Sequence, residues 1–175
     1  MTPPELASAV QPDREGASRP QHADARAPSS AADLVAQIER HHGCERRALP
    51  YLVALLAKVA GFHGRRNPKL GVLCDAGQEL AETIEGRLDD EERELFPALL
   101  SGPPEAARGG LDQLRRHHRA LTLLLARVRW LADDFAVPPW AGRSYQILME
   151  ELAALEEDVV AHMALEGALL GPPAA

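Results

Sequence analysis

The sequence predicts an all-α fold, an up-and-down four-helix bundle, on three observations. Hydrophobic residues make up 46% of the 175 positions and aromatic residues only 4%, with Leu and Ala dominant, which favours helices over strands. Apolar residues recur at steps of three and four along four separate stretches of the chain. The connections between these stretches are short and rich in Gly and Pro, which makes successive helices antiparallel neighbours.

The chain divides into a polar N-terminal segment and the predicted bundle. Residues 1–30 are rich in Pro, Ala, Ser, Asp and Arg and have no apolar period, so we expect a disordered tail. Residues 31–172 are expected to form the bundle, and Ser29 or Ser30 is suited to cap its first helix.

The first two helices follow from their apolar stripes. The first stripe runs over residues 34–63 and ends at Asn67-Pro68, with Pro50 expected to interrupt and kink it. The second runs over residues 73–95 and stops near residues 101–104, where Gly and two Pro residues follow Ser.

The last two helices end at paired prolines. The third stripe covers residues 111–132 and stops before Val137-Pro138-Pro139, and the fourth covers residues 148–169 and stops at Gly171-Pro172-Pro173. We expect each of the four helices to span roughly 28 to 34 residues, a normal length for such a bundle.

Composition argues against several classes of function. The formal net charge is −7 and the pI about 5.5, so no nucleic-acid partner is expected. No apolar run approaches the ~20 residues of a membrane span, and the first residues lack a signal-peptide pattern, so we expect a cytoplasmic protein. Cys44 and Cys74 form neither a disulfide framework nor a zinc motif and are expected to be buried, unpaired thiols.

Ionisable residues interrupt all four apolar stripes at corresponding positions. They lie early on the odd-numbered helices and late on the even-numbered ones, which is the same end of an up-and-down bundle. The residues are His42, Arg87, Glu91, His118, His162 and Glu166.

This layer predicts a metal site. One His on an apolar stripe is usually a hydrogen-bonded core residue, but burying several His and Glu side chains without partners would cost several kcal/mol each. A cation at their centre removes that cost, and inward-facing His and Glu residues are how bundles hold redox-active iron. His162 and Glu166 are four residues apart and share a face, unlike the Glu-x-x-His pairs of ferritin-like di-iron proteins.

Four segments resemble the hemerythrin-like HHE cation-binding domains, and within them the repair-of-iron-centres proteins. The family pattern is a His-His pair, His-x-x-x-Glu-Glu-x-x-Leu-Phe-Pro, Glu-His, and His-x-x-x-Glu-Asn-x-x-Leu-Phe-Pro. The matching segments are Ile38-Glu-Arg-His-His42, Glu91-Glu-Arg-Glu-Leu-Phe-Pro97, His117-His118 and His162-Met-Ala-Leu-Glu166.

The resemblance implies a di-iron bundle with five of the usual ligands. His42 and His118 would bind the first iron, His162 the second, and Glu91 and Glu166 would bridge the two irons. It also implies a role in handling or sensing oxygen or nitric oxide, or in supporting iron–sulfur cluster repair, with iron–sulfur proteins as partners.

The chain departs from the family pattern at several positions. The helix-two His is replaced by Arg87, which carries a permanent charge and has no free lone pair for iron. His117 stands where Glu is usual, and the last motif ends in Leu169-Leu170-Gly171-Pro172. Residues 1–30 contain no Cys, whereas many family members have a small cysteine-bearing N-terminal domain.

Arg87 leaves three outcomes open. In the first, the di-iron site survives with an open position while Arg87 extends to the end of the bundle. In the second, only one metal binds. In the third, the guanidinium pairs with Glu91 and Glu166 and leaves a metal-free ionic core. The corresponding functional hypotheses are a non-haem iron protein and, as the alternative, a metal-free interaction or regulatory module.

Overall fold

The computed structural model describes residues 30–103 and 105–170, which fold as an all-α bundle with no strand in either range. The helices are α1 (Ala31–His63), α2 (Lys69–Asp90), α3 (Phe96–Ser101), α4 (Arg108–Leu131) and α5 (Arg143–Leu170). The predicted fold class is therefore confirmed. The predicted tail over residues 1–30 lies outside the described residues except for Ser30.

Four long arms close into a ring. The π-helical turn Glu91–Leu95 joins α2 to α3, so residues 69–101 act as one arm, and α1, α4 and α5 are the others. α1 packs against α2 and α5, and α4 packs against the same two helices. The third arm is shorter than the predicted 28 to 34 residues, because α4 has 24 residues.

α1 begins as predicted but is more continuous than predicted. The Ser30 hydroxyl oxygen accepts a hydrogen bond from the Asp33 backbone N–H at 3.1 Å, which is an N-cap. The predicted interruption at Pro50 was wrong, because α1 runs through it. Pro50 lies on the exposed side, where water can solvate the carbonyl left without a partner.

The π-helical turn brings two consecutive apolar residues into the core. The Phe96 N–H bonds to the Glu91 carbonyl five residues back, which adds one residue to that turn. Leu95 and Phe96 are both buried as a result. Such turns are frequent at functional sites, and this one begins at Glu91, a predicted ligand.

The core consists of two apolar clusters. The larger is built around Leu56, Leu80 and Leu148 and the smaller around Ile38 and Leu114. On every arm, the polar residues predicted to form a layer fall between or beside these two clusters in sequence. The apolar packing on either side therefore fixes the helices that carry the polar layer.

The two cysteines are only partly buried. Cys44 and Cys74 are both free thiols, and both are half-buried, so the predicted full burial was wrong. Within the two described ranges, no helix has the length and apolarity that crossing a bilayer requires.

Candidate metal centre

Side chains from all four arms meet in one layer. α1 supplies His42 and Glu45, α2 supplies Arg87, the π-helical turn supplies Glu91, α4 supplies His118, and α5 supplies His162 and Glu166. All of these side chains except His118 are buried. The ionisable layer that the stripes predict is therefore present.

The structure gathers four of the five predicted metal ligands most tightly. His42, Glu91, His162 and Glu166 each offer a ligand atom, and these atoms lie within 4.8 Å of one another. His118 is 17% exposed and lies outside that group, but its Nε2 is 2.7 Å from Glu166 Oε2. It contacts the group through Glu166.

His42 lies between two carboxylates on the second arm. Its Nε2 is 3.1 Å from Glu91 Oε2, and its Nδ1 is 2.7 Å from Glu92 Oε1. Glu92 is in turn held by Arg46, whose Nη2 donates to Oε2 at 2.9 Å. A proton on Nδ1 directed at Glu92 leaves the Nε2 lone pair facing the centre of the layer.

His162 repeats this arrangement from the opposite side. Its Nδ1 is 2.7 Å from Glu45 Oε1, and its Nε2 is 3.0 Å from Glu166 Oε1. The Arg87 Nη2 atom also lies 3.0 Å from Nδ1, but arginine only donates, so a protonated Nδ1 bonds to Glu45 instead. Both buried histidines can thus present Nε2 to the centre while a carboxylate holds Nδ1.

Arg87 lies inside the layer with its side chain 0% exposed. Its Nη1 donates to Glu166 Oε2 at 2.8 Å, its Nη2 donates to Glu45 Oε2 at 3.3 Å, and its Nε is 3.7 Å from Glu91 Oε1. The outcome in which this side chain extends to the end of the bundle was wrong, because three buried carboxylates surround the guanidinium. The predicted pairing with Glu91 and Glu166 is present.

Glu45 is a member of the layer that the sequence reasoning did not assign. It lies on the apolar stripe of α1, three residues after His42 and four before Leu49, and it is 3% exposed. A carboxylate on a buried stripe needs a partner, which was the available signal. It was missed because the family motifs contain no ligand at this position.

The other histidines of the described residues lie beside the layer or far from it. His117 is not part of the layer, and its Nε2 is 3.8 Å from Asp90 Oδ2. His41 is half-buried and stacks on the His162 ring at 5.5 Å, so it supports the layer. His63 packs against Trp140 at the other end of α1.

The layer carries polar atoms that suit a cation. In the described part of the chain, four buried side-chain atoms have no hydrogen-bond partner: Arg87 Nε, Glu91 Oε1, His162 Nε2 and Glu166 Oε1. Such atoms cost ~1–3 kcal/mol each. Three of these atoms belong to the four clustered residues, and each can offer a lone pair to a cation. Imidazole nitrogen and carboxylate oxygen are both ligands of iron in proteins. The residues therefore fit a bound metal ion.

The electrostatics also favour positive charge. Burial lowers the pKa of His162, but its contacts with Glu166 and Glu45 outweigh burial and raise the pKa to about 9. Burial raises the pKa of Glu91 to about 7, although its bond with His42 acts in the other direction. Burial also opposes ionisation of Glu166, yet its contacts with His118 and His162 hold its pKa well below the usual range.

Facing helices that direct His and Glu side chains into one buried layer are typical of bundles that hold a metal between their helices. The sequence matches the hemerythrin HHE cation-binding domain over residues 33–174, which is most of the chain. The chain belongs to this family, as its motifs predict.

Curated relatives carry a more specific name. The chain is 28% identical over 137 residues to the iron-sulfur cluster repair protein YtfE of Edwardsiella ictaluri (strain 93-146), covering 78% of this chain and 62% of that protein. The proteins of the same name from Yersinia pseudotuberculosis serotype IB (strain PB1/+) and Escherichia coli O81 (strain ED1a) are 28% and 26% identical over the same extent. The chain spans about three-fifths of the length of these relatives.

Proposed function

We propose that this chain is a non-haem iron-binding protein that supports iron–sulfur cluster repair under oxidative or nitrosative stress. The observation that carries the proposal is the buried group His42, Glu91, His162 and Glu166, whose ligand atoms lie within 4.8 Å of one another. The relatives named for cluster repair support the role at modest identity.

The residues of the layer have distinct parts in this proposal. His42 and His162 would bind iron through Nε2, and Glu91 and Glu166 through carboxylate oxygens, with His118 beside Glu166. Bound iron would supply reversible one-electron chemistry and a position for a small ligand such as oxygen or nitric oxide. The chain contributes buried surroundings for the ligands. It also fixes the imidazole orientations, because a carboxylate accepts the Nδ1 proton of each buried histidine.

The metal-free module is the second candidate, and one observation favours it. Arg87 already pairs with buried carboxylates on both sides, so part of the negative charge is neutralised without a metal. A bundle that is stable in this form could act through its surface alone. Metal content separates the two candidates.

The first test is iron binding. The purified chain is reconstituted with Fe(II) under anaerobic conditions, desalted, and its iron per chain is counted by mass spectrometry. We expect stoichiometric iron in the wild-type protein and a large loss in Glu166→Ala. The matched control is Glu39→Ala, an exposed carboxylate on α1 that leaves the layer intact. Absence of bound iron in the wild-type protein would overturn the proposal in favour of the metal-free module.

The second test addresses repair. An oxygen-damaged [4Fe–4S] hydro-lyase is incubated with iron-loaded chain and a reductant, and its recovered activity is followed over time. We expect recovery faster than with the same concentration of free Fe(II), and no such gain with Glu166→Ala. Equal recovery with free Fe(II) would limit the function to iron binding.

A further inference from the structure

We propose that the Arg87 guanidinium takes the place of a second metal ion, with Glu45 as its partner, so that the layer holds one divalent cation. This inference rests on the proposed function, since it concerns the number of ions in the same layer. It makes the chain a one-metal member of a family whose motifs imply two.

The contacts of Arg87 are those that a second ion would need. Its nitrogens lie 2.8 Å from Glu166 Oε2 and 3.7 Å from Glu91 Oε1, and these are the two carboxylates expected to bridge a pair of irons. The guanidinium also packs beside the ring of His162, the residue expected to bind the second iron, at 3.0 Å from the Nδ1 atom that does not face the proposed ion. A second ion in this region would overlap a side chain that is 0% exposed.

Glu45 is the carboxylate that partners Arg87 in the proposed replacement of a metal ion by an arginine. No ligand falls at this position in the family motifs, and a lone buried carboxylate on α1 would be costly. Here its Oε2 accepts from Arg87 Nη2 at 3.3 Å and its Oε1 accepts from His162 Nδ1 at 2.7 Å. Arg87 and Glu45 therefore form a buried pair, which accounts both for an arginine where the motif has His and for a buried carboxylate where the motif has no ligand.

The charge of the layer fits one ion. With both imidazoles neutral, as metal ligands must be, the carboxylates of Glu45, Glu91 and Glu166 and the guanidinium of Arg87 leave two negative charges, which one divalent cation neutralises. A second divalent cation would leave positive charge buried beside the permanent charge of Arg87, which is strongly unfavourable in a low-dielectric interior.

The spacing of the four clustered ligand atoms suits one ion as well, because all lie within 4.8 Å of one another and opposite ligands of an octahedral ion lie ~4.2 Å apart. The His162 Nε2 atom is 3.0 Å from Glu166 Oε1, and His42 Nε2 is 3.1 Å from Glu91 Oε2. Ligands at ~2.1 Å from an octahedral ion lie about 3 Å apart when adjacent, so both pairs have the separation of neighbouring ligands. Each pair combines one imidazole nitrogen with one carboxylate oxygen.

The test counts iron in proteins that differ at this residue. Wild-type protein, Arg87→His and Arg87→Lys are loaded with excess Fe(II) anaerobically and desalted before the metal is measured. We expect about one iron per chain in the wild-type protein and in Arg87→Lys, which keeps the charge, and a rise towards two in Arg87→His. The matched control is Arg127→His, an exposed arginine on α4, which should stay at the wild-type value.

A second measurement uses the wild-type protein alone and therefore does not depend on whether the variants fold. After oxidation, the wild-type protein should give a high-spin Fe(III) electron paramagnetic resonance signal equal to its iron content. A coupled pair of irons gives no such signal, so a silent sample that contains iron would overturn the inference.

The outcomes separate this inference from the proposed function. Two irons per wild-type chain would overturn the one-metal inference and leave iron binding intact, whereas no iron would overturn both. A folded Arg87→His protein that still holds one iron would contradict the claim that the guanidinium excludes the second ion.

Discussion

His162 on α5 and Glu45 on α1 share a buried hydrogen bond, with Nδ1 2.7 Å from Oε1 across 117 residues of sequence. The bond fixes the imidazole so that Nε2 faces Glu166. Glu45 thereby links two helices and orients a residue that we expect to bind iron, without itself facing the proposed ion. Carboxylates in this position tune metal affinity in many sites.

Glu45→Gln should weaken iron binding without removing a ligand. The amide oxygen can still accept the Nδ1 proton, but the negative charge that supports the imidazole and pairs with Arg87 is lost. We expect the affinity for Fe(II) to fall by roughly 10–100-fold, measured by competition with a calibrated chelator. The control is Glu39→Gln on the exposed face of α1. An affinity within about twofold of wild type would remove Glu45 from the site.

Arg87→Met should destabilise the metal-free protein. The variant removes the guanidinium from the buried carboxylates of Glu45 and Glu166, and breaking a buried ion pair in this way typically costs about 3–5 kcal/mol. Urea unfolding in the presence of a chelator measures the free energy of unfolding. The control is Arg127→Met, whose exposed ion pair with Glu79 should cost no more than ~1 kcal/mol. Equal losses in the two variants would show that the buried pairs contribute no more than the surface pair.

The fold and most of the site follow from periodicity, because helix faces are set by spacing alone. Steps of three and four place His42, Glu91, His162 and Glu166 on inward faces, and antiparallel connections bring them to one level. No side-chain detail is needed for that result.

Other features of the site depend on side-chain and backbone geometry that the spacing of residues along the sequence does not determine. Arg87 has a long flexible side chain, so the sequence places its Cα on an inward stripe but does not decide whether the guanidinium stays inside or extends outward. Glu45 lies at a position where the family motifs contain no ligand, so the motifs do not assign it to the site, although its burial on the stripe requires a partner. The π-helical turn at Glu91–Leu95 adds one residue to an otherwise regular helix and has no distinct local signature.

Two glycines on α2 should respond in opposite directions to the same change. A methyl group on Gly77 would overlap the Cδ1 atom of the buried Leu56 on α1, so Gly77→Ala should destabilise the protein by about 1–3 kcal/mol. Gly86 is exposed with nothing within 4 Å of an added Cβ, so Gly86→Ala should stabilise it by ~0.5–1 kcal/mol. Thermal and urea unfolding measure both. Stabilisation by both changes would mean that α1 and α2 pack less tightly at Gly77 than the structure indicates.

Cys74 should be a slow thiol whose reactivity rises only at alkaline pH. Burial, together with the charge of Asp75, raises the pKa of Cys74, so less thiolate is present at any given pH than in a free thiol. In a Cys44→Ser protein, alkylation by iodoacetamide should be slower than that of a model peptide near pH 8, and its pH midpoint should lie higher. Asp75→Asn should lower the midpoint, whereas Asp112→Asn on α4 should leave it unchanged. A wild-type midpoint at or below that of the peptide would contradict the effect of burial.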